Sequence, residues 1–159
     1  MTGDGEGTFD SAVLSRGTVL IVDENRVDLH CYRFILRMLG YQVITCGTYQ
    51  EGLNLLSCGQ VDLIIVSQGS NEFEGRCVLE RAMEIDKGFP VLVVAHHLDM
   101  PCCTEAMQLG AVEYLAEPIT PQELEGAVQS HLWTRLTHNH SGIGRRRGNG
   151  NNLFDSPQR

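Results

Sequence analysis

Four polar side chains stand directly behind apolar runs, where a buried strand would release them to solvent. Asp23 and Glu24 follow TVLIV at 18–22, Ser67 follows DLIIV at 62–66, and Glu117 follows AVEYLA at 111–116. Carboxylate oxygens gathered in this way are hard ligands, suited to Mg2+ or Ca2+. The other relief for like-charge crowding is retention of a proton, with one or more carboxyl pKa values raised. Ser67 offers a hydroxyl, which attacks only when a general base activates it. No GxSxG surrounds it, and no His or Asp is spaced to complete a triad. The chain therefore reads as a non-enzyme, with Ser67 a small polar residue filling space.

The remaining reactive side chains carry weaker signals. His96 and His97 follow the apolar run PVLVVA, and His138 and His140 lie near the end. Neither pair has a carboxylate or cysteine at useful spacing, so exposed loop histidines are expected. Six cysteines (Cys31, Cys46, Cys58, Cys77, Cys102, Cys103) show no CxxC and no paired zinc-ligand spacing. They read as buried or inert thiols of a reducing compartment. Arg145 to Arg147 sit among glycines and asparagines, a solvated tail by default, with nucleic acid or an anionic nucleotide as the alternative ligand.

Charge narrows the classes further. The 159 residues carry a formal charge of −8, and from Gly17 to His131 there are sixteen acidic against six basic side chains. Phosphate backbones need clustered Lys and Arg, so an acidic body argues against a nucleic-acid role. No apolar run approaches the length of a membrane span. No basic-then-apolar opening marks a signal peptide. The expected location is the cytoplasm.

The elements that position these residues alternate regularly. Thr18 to Val22, Tyr41 to Thr45, Val61 to Val66, Val91 to Val94 and Ala111 to Ala116 are short apolar runs, several rich in β-branched residues, and read as strands. Between them lie helical patterns. The first puts Val27, Cys31, Phe34, Ile35 and Met38 inward, with Arg33 and Arg37 on the wet side. The last opens with Thr120-Pro121-Gln122-Glu123, a capping box with proline at the first helical position, and runs to about Trp133. Short parallel strands with right-handed helical crossovers give an α/β doubly wound, five-stranded parallel sheet in the order 2-1-3-4-5, with five helices. Its ligand crevice lies beyond the carboxyl ends of the strands. The domain is placed at residues 17–133, after a flexible leader at 1–16 and before a disordered polar tail at 134–159.

These motifs together resemble the receiver domain of bacterial two-component response regulators, a flavodoxin-like fold, over Thr18 to about Trp133. The resemblance rests on VLIVDEN at the first strand, DLIIV at the third and Gly75 eight residues after Ser67. PVLVVA, GAVEYL and Pro118 before the last helix complete it. It implies an aspartate acceptor at the end of strand three and magnesium held by acidic residues after strand one. It also implies a Ser/Thr hydroxyl after strand four and a lysine after strand five. The acidic pair survives as Asp23 and Glu24, but the other positions are Ser67, Ala95 and Glu117. Tyr114 matches the family's aromatic switch position, and a static inward ring is expected there because Ala95 is small.

The expectation is a degenerate pseudo-receiver, a phosphorylation-independent signalling adaptor with Asp23, Glu24, Ser67, Ala95 and Glu117 as the remnant pocket. No cofactor is required, and Mg2+ through Asp23 and Glu24 is a secondary expectation. The implied partner is a signalling protein, histidine kinase or regulator. Tyr114 lies on the implied contact surface, and a homodimer would use the helix 4–strand 5–helix 5 face. One alternative is a metal or small-ligand (nucleotide) sensor using the remodelled pocket or the Arg145–Arg147 tail. The other is a working phosphorelay receiver that tolerates the substitutions.

Overall fold

The computed structural model describes residues 15–141. The leader up to residue 14 and the Arg145–Arg147 tail lie outside the described residues. Five parallel strands, β1 (Thr18–Val22), β2 (Gln42–Cys46), β3 (Leu63–Ser67), β4 (Val91–Ala95) and β5 (Glu113–Ala116), lie in the order β2-β1-β3-β4-β5. The helices are α1 (Arg26–Met38), α2 (Tyr49–Leu56), α3 (Arg76–Ile85), α4 (Met100–Leu109) and α5 (Pro121–Ser141).

The sheet is covered on both faces, and the pleat sorts its side chains between two cores. Leu20, Val22, Ile64, Val66, Val91 and Val93 meet α2, α3 and α4. Val19, Ile21, Leu63, Ile65, Leu92 and Val94 meet α1 and α5. Every residue of β3 and β4 is buried. Ser67 pairs in register with Val94, and Ala95 with Ala116, so the polar positions behind the strands emerge at one edge of the sheet.

Two helices depart from the sequence expectation. On α1 the buried residues are Tyr32 and Leu36, with Leu29 and Ile35 partly buried. Val27, Phe34 and Met38 are instead 62–73% exposed, and Cys31 is exposed. The helix carries two apolar stripes. Asn25, whose side chain accepts from the Val27 and Asp28 amides, caps the helix start. The stripe that reaches the sheet is the one whose tyrosine also finds a polar partner there.

Helix α5 opens with the expected capping box. Thr120 Oγ1 accepts from the Glu123 amide at 3.2 Å, and Glu123 Oε2 accepts from the Thr120 amide at 2.8 Å. The helix then continues past Trp133 to Ser141, so residues 134–141 belong to it rather than to the tail. Leu132 and Leu136 extend its apolar contact. Arg135 pairs with Asp86 at 3.0 Å and lies over the Phe89 ring, 4.2 Å from its centroid. A basic, polar sequence conceals this anchoring because the guanidinium stacks on an aromatic face.

Candidate functional site

Asp23 directly follows β1 and is only 3% exposed. Its Oδ1 accepts from the Asn25 amide at 2.8 Å, which ties the carboxylate to the start of α1. Burial pushes its pKa up to about 6; the Asn25 N–H opposes this, while Asp28 and Glu117 add to it. Glu24, its neighbour in sequence, is exposed. The two residues of the acidic pair thus occupy different environments.

Ser67, at the end of β3, is buried. Its Oγ accepts from the Gly69 amide at 3.3 Å, and its carbonyl accepts from the Tyr49 hydroxyl at 3.3 Å. No imidazole or carboxylate bonds to that Oγ among the described residues, so it has no general base. The loop behind it is held close. A Cβ on Gly75 would lie 2.0 Å from the Ser67 carbonyl oxygen, which is why glycine occupies that position. Ala95, buried at the end of β4, brings a methyl where the resemblance implies a hydroxyl.

Glu117, behind β5, is turned toward α1. Its Oε1 accepts from the Tyr32 hydroxyl, and its Oε2 lies 2.8 Å from His96 Nδ1. The other face of the ring approaches Asp28, with His96 Nε2 at 3.6 Å from Asp28 Oδ2. The hydrogen bond to Glu117 holds the His96 pKa above its ordinary value. Burial, followed by the Glu117 bond, raises that of Tyr32, and burial with the Glu117 charge raises that of Asp28. Among the described residues no Lys or Arg pairs with Asp28 or Glu117; the partner is an imidazole.

His96 is therefore not a free loop histidine. It is half-exposed, as expected, but bridges two carboxylates that lie far from it in sequence. It also stands between two open grooves of about 670 Å3 each, one toward Gln68 and Ser70, the other toward Tyr32 and Ile119. Asp28, Tyr32 and His96 were not legible as site residues in the sequence, since α1 and the end of β4 meet only in the folded chain. The pattern that hints at them is Asp28 and Tyr32 one helical turn apart, on the face of α1 nearest the strand ends.

Gln68 was also missed. It is 4% exposed, and its Oε1 accepts from the Tyr114 hydroxyl at 2.5 Å while its Nε2 donates to the Ser70 carbonyl at 3.1 Å. The Tyr114 oxygen accepts in turn from the Asp99 amide at 3.4 Å. The ring is partly buried against the core.

Magnesium requires near-octahedral oxygen ligation. The residues in place do not fit it. Ser67 supplies no carboxylate, Glu24 is exposed, and Asp23 is the one buried carboxylate of the expected pair. At the position where the resemblance implies a lysine, Glu117 carries the opposite charge and bonds within the domain.

Comparison with known proteins agrees with this architecture. The response regulator receiver domain family matches residues 19–129. The chain belongs to that family, whose domains serve signal transduction. The transcriptional regulatory protein GlrR of Escherichia coli (strain K12) is 28% identical over 114 residues, 72% of this chain and 26% of that protein. The alginate biosynthesis transcriptional regulatory protein AlgB of Pseudomonas aeruginosa is 30% identical over 120 residues, 76% of this chain and 27% of that protein. The chain thus spans about a quarter of the length of these relatives. A response regulator receiver domain protein from Clostridium thermocellum superposes with a TM-score of 0.71 at 26% identity, over 77% of this chain and 98% of that one. A CheY-like receiver domain protein from Methanospirillum hungatei JF-1 gives the same TM-score and coverage at 24% identity, a likeness of fold alone.

Proposed function

We propose that this chain is a phosphorylation-independent receiver, which signals through protein contact from a fixed conformation. The observation that carries the reading is Glu117, a carboxylate at the position where the family holds a lysine, bonded to Tyr32 and His96. An incoming phosphoryl group would meet repulsion there, and Ser67 lacks both a carboxylate nucleophile and a general base. The Tyr114–Gln68 bond supports a fixed ring, because moving the ring outward would strand a buried amide oxygen. Partner affinity would then follow from one populated state rather than from a phosphoryl-driven shift.

The contact surface is assigned to Tyr114 and the adjoining α4–β5–α5 face, which serves either a signalling protein or a second copy. Met100 and Met107 on α4 and Trp133 on α5 are exposed apolar side chains in these elements. The test is incubation of the purified chain with Mg2+ and a small phosphoryl donor, read by intact mass. No phosphoryl adduct is expected. An adduct of wild-type protein that disappears in Ser67→Ala overturns the reading.

A further inference from the structure

We propose that Asp28, His96 and Glu117 form a binding site for a divalent transition metal, Zn2+ foremost, made of two carboxylate oxygens and one imidazole nitrogen. The three residues come from the first turn of α1, the end of β4 and the end of β5. One ligand atom from each lies within 4.8 Å of the other two. Zinc takes nitrogen and oxygen ligands at about 2.0–2.2 Å in a tetrahedron, which places ligand atoms roughly 3.3 Å apart. Glu117 lies against Nδ1 and Asp28 against Nε2, so the imidazole must turn to present one nitrogen to an ion shared by both carboxylates. The His96 Nε2–Asp28 Oδ2 separation is already 3.6 Å.

A second observation points to a ligand at Asp28. Asp28 Oδ2 is shut off from solvent and has no hydrogen-bond partner among the described residues. An unmatched buried carboxylate oxygen is costly. Its nearest ring nitrogen, at 3.6 Å, is too far for a hydrogen bond but suitably placed for two ligands sharing an ion.

The surroundings complete the site. Tyr32 donates to Glu117 Oε1, fixing the carboxylate so that Oε2 faces His96, the outer-shell role that orients metal ligands. Asp23, behind them, adds negative potential that favours a dication. His96 is half-exposed and faces both grooves, so an ion has an entry path and a water can fill the fourth position. The imidazole sets the chemical class: nitrogen ligation suits Zn2+, Ni2+ or Cu2+, whereas Mg2+ prefers oxygen alone. This site differs from an Asp23–Glu24 magnesium site in its residues and its donors. It does not depend on how Ser67 behaves toward phosphoryl donors.

The test uses the full chain, stripped with chelator and kept reduced, titrated calorimetrically with Zn2+ and separately with Mg2+. Co2+ absorption serves as a ligand probe. The expected result is one Zn2+ per chain, a Co2+ spectrum without the intense thiolate charge-transfer band, and no comparable heat with Mg2+. His96→Gln, Asp28→Asn and Glu117→Gln should each weaken Zn2+ at least about tenfold, while His97→Gln should leave affinity unchanged. Circular dichroism of each variant establishes that it folds. Zn2+ affinity unaffected by all three ligand substitutions overturns the site, as does a thiolate band or Mg2+ binding of equal strength. Because phosphoryl uptake is read separately by mass, either proposal can fail without the other.

Discussion

The Tyr32 hydroxyl donates to Glu117 Oε1, joining two residues 85 positions apart in the chain. The bond places a carboxylate, held from α1, at the position where the resemblance implies a lysine. Tyr32 is 6% exposed, so its removal leaves a charged acceptor short of a partner in a poorly hydrated place. Tyr32→Phe should lower unfolding free energy by about 1.5–3 kcal/mol, as for hydrogen bonds to charged groups. Urea denaturation of the two proteins, with the slope of the transition unchanged, checks this.

Asp23 governs how stability varies with pH. Its folded pKa is raised from 3.8 to about 6. A raised folded value means that the native state holds the proton more tightly than the unfolded chain. The stabilisation is fully present below the unfolded pKa and is lost as pH rises through about 6. A shift of this size corresponds to about 3 kcal/mol. Asp23→Asn keeps an oxygen for the Asn25 amide and removes the charge facing Asp28 and Glu117. It should flatten the decline between pH 4 and 6 and raise stability at neutral pH by about 2 kcal/mol. Chemical denaturation of metal-free protein across that range measures both effects, and a stability gain from pH 4 to 6 that depends on Asp23 would contradict the assignment.

Gly75 is required by proximity rather than by backbone angle. Its φ is −64°, which any residue adopts, but a Cβ would sit 2.0 Å from the Ser67 carbonyl oxygen. Backbone cannot yield as a side-chain tip can. Gly75→Ala should destabilise the domain by about 2–3 kcal/mol, at the upper end for overpacking. Differential scanning calorimetry reads the loss, and a melting temperature within error of wild type would show that the loop moves freely.

Tyr114 and Gln68 form the other internal tie. Tyr114→Phe keeps the ring and removes the hydroxyl, leaving Gln68 Oε1 without its donor. A loss of about 1–3 kcal/mol is expected. In wild-type protein, beryllofluoride with Mg2+ should leave the Tyr114 amide resonance in place, while the same ring in a phosphorylatable receiver would shift.

Much of the domain was legible in one dimension because its causes are local. Five apolar runs separated by helical patterns leave few ways to build a parallel sheet once crossovers are right-handed, and the strand order follows. The Thr120–Glu123 box announces its role through neighbouring residues. Ser67, Ala95 and Glu117 could be placed at or just past the ends of the third, fourth and fifth strands from the apolar runs alone.

What tertiary structure alone decided is which of several locally equivalent choices the chain takes. Helix α1 carries two apolar stripes, and periodicity cannot say which faces the sheet. Packing against β1 and the Tyr32–Glu117 bond select Tyr32 and Leu36, leaving Phe34 and Met38 in solvent. Helix α5 outlasts its apolar pattern because Arg135 finds Asp86 and Phe89, residues from a distant loop. His96 looks unpartnered in sequence, since Asp28 and Glu117 approach it only when β1, β4 and β5 end at the same edge of the sheet. Short-range spacing determined the scaffold; the charges that meet at its edge are set by chain segments whose proximity exists only in the folded state.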